Sequence, residues 1–232
     1  MTSPPAAEAE REIKFTLSAG RAHVARDWLE RLCRRDPRYP AAIVWTMYYD
    51  TPAMISLGEK VNSDYLKRKI RVRWYADLDG RLLEPVFVEA KLRVGALRTK
   101  VRERVPVPAS EIAQWDLQDP RLSRLPRMLQ AGGMLGIEPW QPVMLIRYRR
   151  DRFVEPRSRA RVSLDTDIAA AAVHPRLAHP ADTTPLGSAV LEVKGQEDTL
   201  PLTLHPLLAL GIRKGAFSKL FAVYAHAAHQ LV

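Results

Sequence analysis

The sequence predicts an α+β fold: an eight-stranded antiparallel β-barrel with a polar, basic lumen and helices packed outside. Three observations carry this reading. Six segments divide charged from apolar residues at alternate positions, the period of a strand that buries one face. Their charged sets are dominated by Arg and Lys, which repel one another unless an anion neutralises them. Helical segments are available to cover the apolar faces, and with helices outside, the charged faces turn inward as the sheet closes. The bland alternative is an open sheet with one solvated face, but such faces usually mix Thr, Ser, Gln and Lys.

Residues 1–9 read as a flexible tail. The strand Glu10–Leu17 sets Glu10, Glu12 and Lys14 against Ile13 and Phe15. Ser18 is a plausible N-cap for a helix in which Val24, Ala25, Trp28, Leu29, Leu32 and Cys33 recur at helical spacing, and Asp36-Pro37 ends it. Ile43–Tyr49 is a β-branched and aromatic strand closed by Asp50-Thr51-Pro52. Further strands are expected near 67–75, 84–93, 98–106, 142–150, 159–166 and 188–195. Lys69, Arg71 and Arg73 oppose Ile70, Val72 and Trp74; Glu89, Lys91 and Arg93 oppose Val88, Ala90 and Leu92. Arg98, Lys100, Arg102 and Arg104 share one face of the next strand. Arg161, Ser163, Asp165 and Asp167 oppose Val162 and Leu164, and Glu192 and Lys194 oppose Leu191 and Val193. Helices are expected near 110–132 despite Pro126, near 200–212 with an interruption at Pro206, and from Phe217 to Leu231. With no long linker or internal repeat, residues 10–232 read as a single domain.

The 232-residue chain carries 36 Lys and Arg against 26 Asp and Glu, a formal charge of +10. That surplus calls for an anionic partner: nucleic acid, a membrane surface or phosphate-rich small molecules. Between Leu66 and Arg104 stand twelve basic and five acidic residues, largely at alternating positions, which fits a lining better than an outer surface. The lone Cys33 excludes a disulfide framework and a cysteine zinc cluster, and a reducing, cytoplasmic location is the simplest expectation. The N-terminal run is not a secretory signal, and no stretch approaches the roughly 18 apolar residues of a membrane span. No phosphate-binding glycine loop, dinucleotide fingerprint or Ser-His-Asp spacing occurs.

Glu10-Arg-Glu12-Ile-Lys14 fits the ExExK signature of the triphosphate tunnel metalloenzyme (CYTH-like) superfamily. The later segments resemble its polyphosphate polymerase branch, the VTC domain. They are Tyr48-Tyr49-Asp50, Ile70–Tyr75, Val88-Glu89-Ala90-Lys91, Val101–Arg104, Tyr148-Arg149-Arg150, Arg161–Asp167, Leu191–Lys194 and Phe217-Ser218-Lys219. The resemblance implies a tunnel that binds ATP, tripolyphosphate or polyphosphate with a divalent cation, Mn²⁺ or Mg²⁺. It implies transfer of the γ-phosphate of ATP to a growing polyphosphate chain, with release of ADP. Carried onto this sequence, the catalytic phosphate-contacting set is Lys14, Arg71, Arg73, Lys91, Arg102, Arg150 and Lys219. Lys69, Lys100, Arg161, Lys194 and Ser218 bind substrate beside it. Glu192 is the principal metal ligand, with Glu10 and Glu12 as secondary ligands.

Arginine's planar fork suits phosphate oxygens and lysine supplies a movable charge. A few carboxylates in a basic lining suit one hard cation. Arg150 shares parity with Met144, Ile146 and Tyr148, whereas Arg147 and Arg149 share the other face. Either a bulge re-aims the strand or another arginine acts, and motif order favours Arg150. Asp165 and Asp167 either bind metal or balance Arg161 and its neighbours. His226 and His229 permit a metal pair, with a helix surface the favoured reading, and Trp74 and Tyr75 are weighed as packing against base stacking. The VTC proteins of eukaryotes join this domain to a phosphate-sensing domain and membrane helices; neither is found in this sequence, and a separate membrane partner is compatible with it.

The rivals are a tripolyphosphatase or nucleoside triphosphatase on the same fold, toward which ExExK leans, and a non-catalytic polyphosphate- or nucleic-acid-binding module. Nucleic acid ranks third, since its binders display basic stripes with exposed stacking aromatics.

Overall fold

In this computed structural model, residues 11–62, 64–95, 97–132, 139–177 and 182–229 are described. The anticipated N-terminal tail and Glu10 lie outside them. Ten strands form one sheet in the order β10-β1-β9-β8-β7-β3-β4-β5-β6, with β2 paired to β7. Eight are long: β1 (Arg11–Ser18), β3 (Ala41–Asp50), β4 (Leu66–Ala76), β5 (Leu82–Val94), β6 (Leu97–Arg104), β7 (Gln141–Val154), β8 (Arg161–Val173) and β9 (Ser188–Gly195). They match the eight expected. The sheet nevertheless differs from the expected eight-stranded barrel. The two-residue strands β2 (Arg34–Arg35) and β10 (Arg213–Lys214) bring the count to ten, and among the described residues no ladder joins β6 to β10. An edge strand with basic residues at alternate positions, as β6 has, resists further pairing.

Two compact units are distinguished. The first contains residues 1–41, 149–167 and 187–217; the second contains 42–148, 168–186 and 218–232. In the first, β1 pairs β9 and β9 pairs β8, all antiparallel. Ile13, Phe15, Leu17, Val162, Leu164, Leu191 and Val193 form its apolar face, covered by Ala25 and Leu29 of α1 (Ala22–Leu32) and by Leu204 and Leu207 of a 3-10 segment. Ser18 precedes a 3-10 turn at Ala19–Arg21 and makes no side-chain cap.

In the second unit β3, β4, β5 and β6 pair antiparallel in that order. Ile70, Val72, Trp74, Val88 and Ala90 bury one face beneath Ile112 of α3 (Ala109–Ile112) and Leu122, Leu125 and Leu129. The expected 110–132 helix is split: four α residues, then a 3-10 segment at Leu122–Gly132 that accommodates Pro126. The 3-10 form also replaces the helix expected around Pro206. The sequence reading omits α2 (Ile55–Val61), which Asp50 organises. Its buried carboxylate accepts from the backbone N–H groups of Thr51, Ser56 and Leu57 at 2.8–2.9 Å. The last helix is α4 (Lys219–His229). Among the described residues no helix is long and apolar enough to cross a membrane.

Candidate functional site

Each unit presents a charged sheet face opposite its apolar one. In the second unit, the ladders of β4, β5 and β6 stack that face into rows: Lys69–Lys91–Lys100, then Arg71–Glu89–Arg102, then Arg73–Phe87–Arg104. Glu89 stands at the centre and is 2% exposed. Arg71 donates to it through Nε at 2.7 Å and Nη2 at 2.6 Å, and Lys100 and Arg102 each lie 3.2 Å away. Burial alone would raise the Glu89 carboxyl, but Arg71, Arg73 and Lys100 hold it far below the usual carboxylate range. Arg73 is buried and donates to Thr46 Oγ1 at 3.2 Å, and the Arg102 guanidinium sits 3.4 Å from the Phe87 ring centre. This face therefore holds several cations around one carboxylate.

The same unit adds the start of α4. Lys69 Nζ donates to Ser218 Oγ at 3.2 Å and lies 5.5 Å from the Tyr48 ring centre. Lys219 Nζ lies 4.6 Å from the centre of buried Tyr148. Ser218 also opens α4, its carbonyl accepting from Ala222 N–H at 2.9 Å. An aromatic face thus lies against each of these two lysines.

In the first unit the rows are Glu12–Lys194–Arg161 and Lys14–Glu192–Ser163. Lys14 lies 2.7 Å from Glu12 and 3.8 Å from Glu192; Lys194 lies 3.1 Å from Glu12 and 2.9 Å from Glu192. Two carboxylates thus share two ammonium groups. Burial and the Glu192 charge both raise the Glu12 carboxyl, yet Lys14 and Lys194 prevail and bring it down to about 2. Among the described residues no group of three or more His, Cys, Asp or Glu converges. A pair of carboxylates fits a divalent cation that keeps its remaining positions for water and phosphate oxygen. Glu10 lies outside the described residues.

Arg150 needs no bulge. Asp151 and Phe153 turn toward α1, where fully buried Asp151 accepts from Arg26, Arg35 and Arg149 at 3.0 Å each. Arg150, one position earlier, turns to the other face and grips Asp165 with two bonds of 2.6 and 2.7 Å. Asp165 is fully buried and so balances Arg150, whereas Asp167 is exposed, with φ 53°. Arg161 is exposed at the row's end.

The predicted residues therefore fall into two groups, one per unit: Lys69, Arg71, Arg73, Lys91, Lys100, Arg102, Ser218 and Lys219 in the second, and Glu12, Lys14, Arg150, Arg161, Glu192 and Lys194 in the first. Sequence reasoning placed Glu89 on the charged face but assigned it no role. Its signal was a lone carboxylate in register between basic strands. Trp74 is 1% exposed and stacks on Trp45 at 6.2 Å, which settles it as packing. Burial, helped by the Glu155 charge, pushes the Cys33 thiol up to about 12, so it is no nucleophile at neutral pH. His226 Nε2 lies 3.1 Å from Asp182 Oδ2 but makes no hydrogen bond; the His229 side chain is outside the described residues.

A family model for the VTC domain matches residues 9–231. The fold is similar to that of a putative adenylyl cyclase from Hippeastrum described as having a dominant triphosphatase activity. That likeness has a TM-score of 0.58 at 17% identity and covers 94% of this chain and 96% of that one. A putative adenylate cyclase from Bacillus halodurans gives a TM-score of 0.51 at 10% identity, covering 91% and 93%. Comparison with curated protein sequences gives no match.

Proposed function

Because the chain belongs to the VTC domain family, we propose that it is a polyphosphate polymerase, moving the γ-phosphate of ATP onto a polyphosphate chain and releasing ADP. The observation that carries the reading is the charged face around Glu89, where Arg71, Lys100 and Arg102 converge on one buried carboxylate. Cations already drawn to a compact anion suit a polyphosphate, whose oxygens offer several negative charges along a line. The proposal takes residues 10–232 as one functional domain and includes the closed eight-stranded tunnel that the family implies.

Phosphoryl transfer depends on positioning and charge neutralisation more than on covalent chemistry from the protein. A terminal phosphate oxygen of the acceptor chain attacks the γ-phosphorus, the bond to the β–γ bridging oxygen breaks, and the electron pair leaves on ADP. Arg71, Arg73, Lys91 and Arg102, with Lys14, Arg150 and Lys219, hold the phosphate oxygens and offset their charge. Lys69, Lys100, Arg161, Lys194 and Ser218 extend the track along which substrate lies. Glu192, with Glu12 and Glu10, would hold Mn²⁺ or Mg²⁺. When bound, such an ion supplies further charge neutralisation on the phosphates.

Incubation with ATP and Mn²⁺ tests the proposal. Long polyphosphate resolved on a gel, with ADP released in step, is the expected result. Orthophosphate without polymer overturns it in favour of a triphosphatase. That second reading is favoured by the Glu12 and Lys14 positions of the ExExK signature and by the activity described for the Hippeastrum protein.

A further inference from the structure

Three strands of the second unit end in a row of uncovered apolar side chains. On the apolar face of β4, β5 and β6, the register stacks Ile70–Ala90–Val101, then Arg68–Leu92–Thr99, then Leu66–Val94–Leu97. The first row is core: Ile70 and Ala90 are buried and Val101 packs against the same cluster. The second is capped by Arg68, which lies 2.8 Å from Glu59 and 5.9 Å from the Trp140 ring centre. Cover stops there. Leu66, Val94 and Leu97 are 39%, 37% and 72% exposed, and Tyr65 beside them is 74% exposed.

This end of the sheet is built, not frayed. The Gly95 N–H donates to the Tyr65 carbonyl at 2.9 Å. The Tyr65 ring lies so close over Gly95, at φ +59°, that a Cβ there would come within 2.6 Å of it. Basic residues collar the row. Lys67 and Arg93 face each other one register step in, and Arg93 Nε donates to the Gly95 carbonyl at 2.7 Å. The acidic residues of this region are Asp64, next to Tyr65, Glu59, which pairs with Arg68 in the second row, and Glu103, further along β6.

We propose that this strand-end row is a docking surface for an anionic lipid bilayer. Leu66, Val94, Leu97 and the Tyr65 ring enter the interfacial layer, while Lys67 and Arg93 reach the negatively charged headgroups. The charge of the collar selects the anionic surface. The arrangement selects lipid over a protein: a stable protein partner needs roughly 800 Å² of matched surface, whereas four side chains in a line need nothing to match in a bilayer's interface.

The test is sedimentation of the full chain with vesicles of phosphatidylcholine, alone or mixed with phosphatidylglycerol. The chain is expected to pellet with the mixed vesicles only. The double variant Tyr65→Ser, Leu97→Ser should partition about tenfold less while its urea midpoint stays that of the parent. Failure of the parent to pellet overturns the proposal. So does equal pelleting of the double variant, since net charge alone then explains binding. Self-association of the parent without lipid, lost in the variant, also overturns it by assigning the row to a second copy of the chain.

Discussion

Arg71 on β4 closes on Glu89 of β5 at 2.6 Å, in a pair whose carboxylate is almost wholly removed from water. The two residues are direct cross-strand partners, and Lys100 and Arg102 reach the same carboxylate from β6. Glu89 thus holds together cations that would otherwise repel, and does so on the face proposed to meet phosphate. Replacing it with Gln keeps the shape and removes the counter-charge. Glu89→Gln is expected to cost roughly 3 kcal/mol of stability, the scale for breaking one partner out of a buried pair. Tripolyphosphate should restore more stability to the variant than it adds to the parent, as urea midpoints with and without the ligand would show. Equal restoration in both would place the anion elsewhere.

The pH dependence of stability follows from the same carboxylate. Its folded value lies below the ordinary 4.5 because Arg71, Arg73 and Lys100 outweigh the burial that would raise it. A depressed acid contributes stability that is complete above the unfolded value and is lost as pH falls through the folded one. The unfolding midpoint should therefore be flat above about pH 5 and drop below 4.5. In Glu89→Gln the acid limb should be shallower. An unchanged limb would assign acid sensitivity to other carboxylates.

The eight long strands and both charged faces were legible because a strand's period of two is written directly into residues such as Lys69, Arg71 and Arg73. Arg150 was obscured by its neighbours. Arg149 looked equivalent until Asp151, fully buried on the α1 side, took it together with Arg26 and Arg35. That exchange joins residues more than a hundred positions apart, so no local pattern announces it. Helix α2 was hidden for a related reason: Asp50 reads as the end of a strand and a turn, yet its carboxylate binds N–H groups six and seven residues ahead. The helical segments at 122–132 and 202–210 were located by their leucines, and their 3-10 form follows from Pro126 and Pro206, each of which removes a backbone donor.

Asp50 provides a structural control within a family-matching segment. Asp50→Ala removes two acceptor contacts from the start of α2 and a third at Thr51, and should destabilise the chain by about 1–2 kcal/mol. Turnover per folded molecule should not change, because the carboxylate points into backbone amides. A specific loss of turnover at full folding, measured by activity against circular dichroism, would give Asp50 a direct role instead.

Arg150→Lys separates charge from geometry. The guanidinium holds Asp165 with two bonds, and lysine can offer only one at a time. The variant should keep the unit folded, lose on the order of 1 kcal/mol, and bind tripolyphosphate more weakly than the parent by isothermal titration. Undiminished binding would show that Arg150 is spent on Asp165 alone.

Glu192→Gln addresses the proposed metal position. Glu192 shares Lys14 and Lys194 with Glu12, so the amide removes one of two carboxylates while leaving both ammonium groups in place. Turnover that depends on Mn²⁺ should fall by a factor of about a hundred or more. Binding of tripolyphosphate without metal should hold or tighten, since a negative charge has left a basic face. These opposite movements distinguish a metal ligand from a residue that only supports the β1–β9 ladder, whose loss would weaken both. Turnover at the parent's level would move the metal to Glu12 and Glu10.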